Sequence, residues 1–379
     1  MEQYDFIATT TFGLESTVKR EATRLNLQNI KVQDGRVNFT GSFYDMIRAN
    51  VNLRSAGKIL WKVAEGKVTE FEDLFQLVNG FNWQDYLPEN ANFHIKGKSV
   101  QSKLFSIRDC QKITDVAIVK KMKTKYNREF FEKNGPLFTV QVSILRDIAT
   151  ITIDTSGSSL HKRGYRTNQI AAPLKETTAH SLIELSYWRK DRLLVDPCCG
   201  SGTIPIEAAM IARNIAPGID RKFVAEYWTF IDRELWKEAR NEAKKQINYD
   251  FMPKIYGYDI DENAIKIAKE NAINAGVEDC IHFEVKDAKD MEITEEYGIV
   301  ITNPPYGERI GDEADVIALY KAFGDIFREE KTWSFYCITS DENFERYYGK
   351  SADKKRKLYN GKIKTDYYQY NGESPTRKN

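Results

Sequence analysis

The stretch Asn303-Pro304-Pro305-Tyr306 constrains this chain more than any other. It follows Gly298-Ile299-Val300-Ile301-Thr302, whose apolar run predicts a buried strand. Each proline fixes φ and removes a backbone donor, so the pair extends neither a helix nor a central strand. The strand therefore stops at Asn303 and presents a polar amide, two rigid carbonyls and an aromatic ring at the end of a sheet. Asn303 Oδ1 and the Pro304 carbonyl can accept the two hydrogens of a planar amine, and Tyr306 can stack on its face. Asn-Pro is also a common turn starter, so a plain strand-to-helix turn accounts for the dipeptide taken alone.

Upstream, Arg192-Leu193-Leu194-Val195-Asp196 reads as a strand ending in an acid. Pro197-Cys198-Cys199-Gly200-Ser201-Gly202-Thr203 then opens a helical pattern from Ile204 to Ala212. A strand, a glycine turn and a helix start place backbone N–H groups beside a ligand at the carboxyl edge of a sheet. The spacing matches neither GxGxxG nor GxxxxGK[ST]. The next strand, Lys254 to Asp259, also ends in an acid, where nucleotide-type folds hold a ribose diol. Asp261 reads as the cap of a helix from Glu262 to Ala275. A third strand, Ile281 to Val285, leads into Lys286-Asp287-Ala288. A glycine loop, Asp259, Asp287 and Asn303 thus fall on successive strand ends and define one crevice.

In this order the motifs resemble the class I S-adenosylmethionine-dependent methyltransferases that modify amino groups. Three further stretches, Leu160–Arg166, Ala172–Thr177, and Pro205–Ala209 with Ile215–Gly218, resemble the THUMP-domain RNA guanine-N2 methyltransferases of the bacterial large-subunit rRNA type. The resemblance spans essentially the whole chain and is densest over 160–310; Cys198-Cys199 departs from it at a variable part of the loop. It implies S-adenosylmethionine as cofactor, held by Asp196, Gly200, Ser201, Gly202, Thr203, Asp259, Ile260, Asp287, Ala288 and Asn303, with Thr177 near the methionine carboxylate. Asn303, Pro304 and Tyr306 would carry the chemistry. Structured RNA is the implied partner, contacted by Lys120, Lys121, Lys123, Arg163 and Arg166.

At 379 residues the chain exceeds a single core. No run of ~18 apolar residues is present, so no membrane span is expected. The start, Met1-Glu2-Gln3-Tyr4-Asp5, has neither the basic flank nor the apolar core of a secretion signal. Five cysteines, two of them adjacent, suit neither a disulfide framework nor a zinc pattern and read as reduced packing residues in a cytoplasmic protein. The four histidines (His94, His161, His180, His282) are scattered, and no metal is expected. Net charge is +1, yet residues 1–170 hold 25 Lys and Arg against 18 Asp and Glu, leaving a basic front half and an acidic remainder. Lys103, Arg108, Lys112, Lys120, Lys121, Lys123, Lys125 and Arg128 form the densest basic run. Such a run is ordinarily a solvated helix face, but the asymmetry fits a phosphate-binding module joined to an enzyme.

Periodicity predicts strand 4–9, a helix opening at Gly13-Leu14-Glu15, strands 29–33 and 36–40 around Asp34-Gly35, helix 42–50 and strand 57–65. That order is ferredoxin-like. A mixed segment follows, with a strand near Phe93–Gly97, a basic helix near 109–124 and strands 137–144 and 147–153. The organisation expected is a ferredoxin-like domain over 1–65, a THUMP domain over 66–155, a linker over 156–169 and a methyltransferase domain over 170–379. The last is expected to be an α/β, Rossmann-like, mostly parallel seven-stranded sheet with one antiparallel hairpin strand, the hairpin marked by Asn360-Gly361. An insertion over 215–253, with a charged helix from Asp232 to Gln246, carries no chemical signal and reads as a packing or substrate-shaping flap.

The reaction expected is methyl transfer to the N2 amine of a guanosine, in large-subunit rRNA or else in tRNA. Asn303 and Pro304 would localise the amine lone pair, so no strong base is needed before attack. The base must leave its helix or lie in a loop to reach such a pocket. A DNA adenine-N6 methyltransferase and a glutamine-amide protein methyltransferase share this chemistry. A non-catalytic RNA-binding assembly factor would need neither motif.

Overall fold

The computed structural model describes residues 2–166, 174–305, 313–361 and 363–374. Tyr306, the pair Ala172-Pro173 and the tail from 375 lie outside them. The first half comprises β1 (Tyr4–Thr9), α1 (Glu15–Arg24), β2 (Gln28–Gln33), β3 (Arg36–Gly41), α2 (Phe43–Asn52), β4 (Lys58–Lys67), α3 (Phe71–Asn79), α4 (Trp83–Tyr86), β5 (Asn92–Val100), α5 (Ile107–Tyr126), β6 (Leu137–Leu145) and β7 (Ile148–Asp154). The second comprises α6 (Glu176–Leu185), β8 (Leu194–Asp196), α7 (Thr203–Ala212), α8 (Arg233–Lys245), β9 (Ile255–Asp259), α9 (Glu262–Ala275), β10 (Ile281–Val285), β11 (Ile299–Thr302), α10 (Glu313–Phe327), β12 (Ser334–Thr339), α11 (Phe344–Tyr348), β13 (Lys354–Asn360) and β14 (Ile363–Tyr370).

The two front modules share one sheet, ordered β2-β3-β1-β4-β7-β6-β5. β4 pairs antiparallel with β7 from Leu60↔Asp154 to Lys67↔Ile148, so the ladder runs straight across the expected boundary near residue 65. The second sheet, β10-β9-β8-β11-β12-β14-β13, is parallel except for the β13–β14 hairpin, and β14 lies antiparallel to β12. Its central strands β8, β11 and β12 are buried on both faces. Ile299, Ile301, Tyr336 and Ile338 enter one core, while Val300, Phe335 and Cys337 enter the other. That period of two under helices on both sides explains why these strands read as continuous apolar runs.

The expected linker is a bonded seam. Thr155 and Ser156 are fully buried. Thr155 Oγ1 donates to the Ile59 carbonyl at 2.8 Å, and Ser156 Oγ donates to Asn50 Oδ1 at 2.6 Å while accepting from the Ile59 N–H at 2.8 Å. Ser and Thr hydroxyls satisfy backbone here instead of leaving it to water. The insertion also belongs to the front half. Trp236, Ala239 and Ala243 line one face of α8 and join the first core with Phe223 and Trp228. Trp228 stacks on Phe138 and donates Nε1–H to the Leu137 carbonyl at 3.0 Å.

A second join runs from α1 to α6. Leu14, just before α1, is buried in the methyltransferase-like core with Leu358. Glu21, nearly buried, accepts the N–H groups of Arg54 (2.6 Å) and Ser55 (3.1 Å) and the Ser55 hydroxyl, and its Oε1 lies 3.2 Å from His180 Nε2 of α6. Arg24 forks onto Glu184 at 2.8 and 3.2 Å. Burial by itself would raise the Glu21 carboxyl; the His180 ring and the bonds from Ser55 and Arg54 outweigh it and hold it down at about 2.

A carboxylate lowered on folding adds stability that is complete above its ordinary pKa near 4.5 and is lost as pH falls toward about 2. Glu21→Ala should cost roughly 3 kcal/mol in urea denaturation near neutral pH, the scale for breaking a buried pair. The gap to the parent should narrow between about pH 4.5 and the acid limit of folding. An equal gap at about pH 6 and about pH 3 would contradict this assignment.

Candidate functional site

The crevice lies at the carboxyl ends of β8, β9 and β11, where the strand order reverses direction across β8 and β11. The second β8 residue, Val195, pairs with Tyr256 on one side and Val300 on the other, which brings the Asp196, Asp259 and Asn303 ends to one edge. Asp196 is buried, and its Oδ1 accepts the Cys198 N–H at 3.2 Å. Burial pushes its carboxyl up to about 7, with the nearby Asp259 charge adding to the rise. Asp259 Oδ2 accepts the Gly200 N–H at 2.8 Å and Oδ1 the Asp261 N–H at 3.0 Å; burial raises this carboxyl too. Asp259 thus ties the glycine loop to the second strand. Ile260 beside it is 70% exposed, an apolar side chain left open at the edge of the crevice.

Gly202 ends the loop at φ +81° and precedes the first residue of α7. A Cβ there would lie 3.0 Å from Ala268 and from the Phe283 ring, so both conformation and space call for glycine. Ser201 and Thr203 are buried; the Ser201 carbonyl accepts from Asn271 Nδ2 at 3.0 Å, and Thr203 Oγ1 accepts from Arg166 at 2.6 Å. Thr177 is buried in the first turn of α6. Asp287 caps the turn Ala288–Asp290, with Oδ1 accepting the Lys289 N–H at 2.9 Å, and its other oxygen meets Lys289 Nζ at 3.2 Å. Its capping role is therefore real, whatever else it does.

At the end of β11, Asn303 Oδ1 is buried without a hydrogen-bond partner among the described residues. Pro304 is buried, and the Pro305 carbonyl accepts from Tyr320 OH at 3.4 Å, which also meets Thr339 Oγ1 at 2.9 Å. A buried amide oxygen that none of the described residues satisfies is costly, so its place in a braced turn makes it a candidate acceptor for a ligand donor.

Two expected RNA contacts are corrected. Arg163 is buried and spans Glu207 of α7 (3.3 Å to each oxygen), the Leu160 carbonyl (2.8 Å) and the Arg54 carbonyl. Arg166 is nearly buried, 3.8 Å from Glu176, and donates to Thr203 and the Leu174 carbonyl. Both are internal braces, because a guanidinium taken out of water must be paired. On α5, Lys120 is exposed over the Phe75 ring, Lys121 is half-buried and Lys123 pairs with Glu129. Sequence reasoning missed Asn271, Tyr320 and Glu176 as supports of the crevice. Each acts across the fold, and no local pattern marks it.

Residues 163–369 match the family model described as RMKL-like, methyltransferase domain. The chain belongs to the RMKL-like methyltransferase family. Residues 5–60 match an RlmL ferredoxin-like domain and 68–154 a THUMP domain. Among relatives, the "Putative RNA methyltransferase YpsC" of Bacillus subtilis is 47% identical over 98% of this chain and 96% of that one. The "Ribosomal RNA large subunit methyltransferase K/L" of Pseudoalteromonas atlantica is 34% identical over 95% of this chain but 52% of its own length, so the chain spans about half of that relative. Two solved structures are similar along their lengths. One is "a predicted N6-adenine-specific DNA methylase from Listeria monocytogenes", 47% identical with a TM-score of 0.93, covering 98% of this chain and 97% of that one. The other is "SMU.472, a putative methyltransferase complexed with SAH", 43% identical with a TM-score of 0.93, covering 99% and 100%.

The cofactor of this RMKL-like methyltransferase is S-adenosylmethionine, and the crevice fits it. Asp259 offers a carboxylate edge for hydroxyls, Ile260 an open apolar face, and Gly200 to Gly202 a backbone surface without side chains in the way. Asp259→Ala should weaken cofactor binding in calorimetry by about 1–3 kcal/mol through lost charge-assisted bonds; unchanged affinity would remove Asp259 from the site. Asp196, raised on folding, adds stability complete below its ordinary 3.8 and lost as pH rises through about 7. Cofactor-free Asp196→Asn should therefore gain in melting temperature relative to the parent between about pH 5 and about pH 8.5. A constant difference across that range would refute the raised carboxyl.

Proposed function

We propose that this chain methylates the exocyclic N2 amine of a guanosine in structured RNA, with large-subunit rRNA as the first candidate. The observation that carries the proposal is the buried Asn303 Oδ1 at the end of β11, which has no hydrogen-bond partner among the described residues. It precedes two prolines, the second of which accepts from Tyr320 OH, and it is an acceptor already out of water before any substrate arrives. The guanine amine is a poor nucleophile because its lone pair is delocalised into the ring. Accepting its hydrogens at Asn303 Oδ1 and the Pro304 carbonyl concentrates that lone pair and offsets the positive charge that develops on nitrogen. When bound, S-adenosylmethionine supplies an electrophilic methyl group on sulfur. Tyr306 is assigned the stacking of the base, and Thr177 and Asp287 cofactor contacts. The RNA assignment rests on the basic front half, the THUMP match and the names of relatives. Amine methylation of DNA adenine, suggested by the name of one similar structure, uses the same acceptors.

Asn303→Ala should lower single-turnover methylation by about two to three decades, a far larger loss than in cofactor affinity, by analogy with the loss of one oxyanion-hole group. The assay compares unmodified rRNA, tRNA and duplex DNA, with the methylated nucleoside identified by mass spectrometry. A parental rate in Asn303→Ala would reduce the motif to a turn. N6-methyladenosine as product would replace guanosine in the proposal.

A further inference from the structure

A cleft of about 670 Å³ opens where the second front module, the 155–159 seam and the 215–253 insertion meet. Its walls include Leu137, Gly157, Ser158, Lys222, Tyr227 and Arg233. None of them belongs to the crevice at the strand ends. The volume lies in the range of small-ligand sites, about 300–1,000 Å³.

The cleft is preformed. Arg221, buried beneath it, donates to the carbonyls of Ser158 (3.0 Å), Ser159 (3.1 Å) and Leu160 (2.9 Å). The Ala225 N–H reaches the Thr155 carbonyl at 3.2 Å, and Trp228 holds the Leu137 carbonyl. Gly157, at φ +77°, lets seam and insertion approach until a Cβ there would lie 3.2 Å from the Val224 side chain.

Its open chemistry is cationic and aromatic. Lys222 and Arg233 are exposed, and among the described residues neither is in an ion pair. Tyr227 is 51% exposed with its ring unstacked among those residues. The acids flanking Tyr227 and Arg233 are engaged: Glu226 binds Arg240 and the Phe223 N–H, Asp232 caps α8, and Glu234 pairs with Lys237. Two unspent cations beside an exposed phenol ring and the Ser158 hydroxyl suit one nucleotide unit of a single strand. The cations meet phosphates, the ring takes a base face, and the hydroxyl meets the ribose 2′-OH.

We infer that this cleft seats an unpaired nucleotide of the RNA substrate, so that the insertion works as an RNA-positioning element between the basic front half and the catalytic crevice. The inference rests on the RNA reading above. It also gives the insertion a role that packing alone does not explain, since α8 already buries its apolar face without these exposed groups.

The test uses the full chain and in vitro transcripts of large-subunit rRNA fragments and tRNA, with affinity measured across salt. Lys222→Ala with Arg233→Ala should weaken RNA binding about tenfold and flatten the salt slope by about 2. Tyr227→Ala should weaken it about fivefold to a hundredfold, and Tyr227→Phe should restore most of that loss, since stacking needs the ring and not the hydroxyl. Cofactor affinity should be unchanged in all of them. If the parent binds RNA and these variants match it in affinity and slope, the cleft is not a seat while the RNA reading stands. If the parent binds neither transcript, the RNA reading itself fails and the cleft with it.

Discussion

The turn Arg54-Ser55 is gripped from both sides by buried charge, and the arrangement of the two halves depends on that grip. Glu21 of α1 takes the two N–H groups of the turn and faces His180 of α6. Arg163 donates to the Arg54 carbonyl and pairs with Glu207 of α7, which also accepts from Tyr165 OH at 3.3 Å. Buried ions are costly unless they are paired and hydrogen-bonded, so the directed bonds that Glu21 and Arg163 make favour this arrangement over others. Apolar packing of the same area would tolerate sliding. Because α6 and α7 are also the helices whose first turns border the cofactor crevice, the front half takes part in setting the geometry of the site.

The crevice itself is built by stopping strands at polar residues. The Asp196 side chain and the Asn303 amide oxygen are both out of water, yet they differ in kind. Asp196 still receives the Cys198 N–H and is pushed toward its neutral form by burial, whereas the Asn303 amide oxygen accepts no hydrogen bond from the described residues. The first is an electrostatic cost bound up with the cofactor loop. The second is an unmet acceptor beside it, and pairing the two makes a site that is strained in polarity but not in backbone. Tyr320 bonds the Pro305 carbonyl two residues on, and the two prolines fix the backbone that follows Asn303.

The 215–253 insertion shows how a segment can be covalently part of one domain and energetically part of another. Phe223, Trp228, Phe230 and Trp236 pack in or against the front core, Trp228 stacked on Phe138 of β6 and Phe230 tilted against Phe43 of α2. Together with the β4–β7 ladder, this makes the front half one hydrophobic body and leaves the seam at 155–159 between packed surfaces.

Local chemistry was enough to read much of this protein. The strand ends, the glycine loop, the Asp261 cap and the Asn360-Gly361 hairpin are written in residues that act within a few positions of themselves. Period-two and helical spacing located most elements to within a few residues, because the burial that shapes them repeats along the chain. What only the tertiary structure decided involves partners far apart in sequence. Arg163 and Arg166, basic and flanked by glycine and polar residues, read as phosphate ligands until Glu207, Glu176 and Thr203 were brought against them. The seam read as a linker because Ser, Gly and Thr look the same in water as in a buried ladder, and Asn50 and Ile59, some hundred positions away, make the difference. A charge or hydroxyl carries no local sign of whether it will be solvated or paired, since that depends on which surface folds over it.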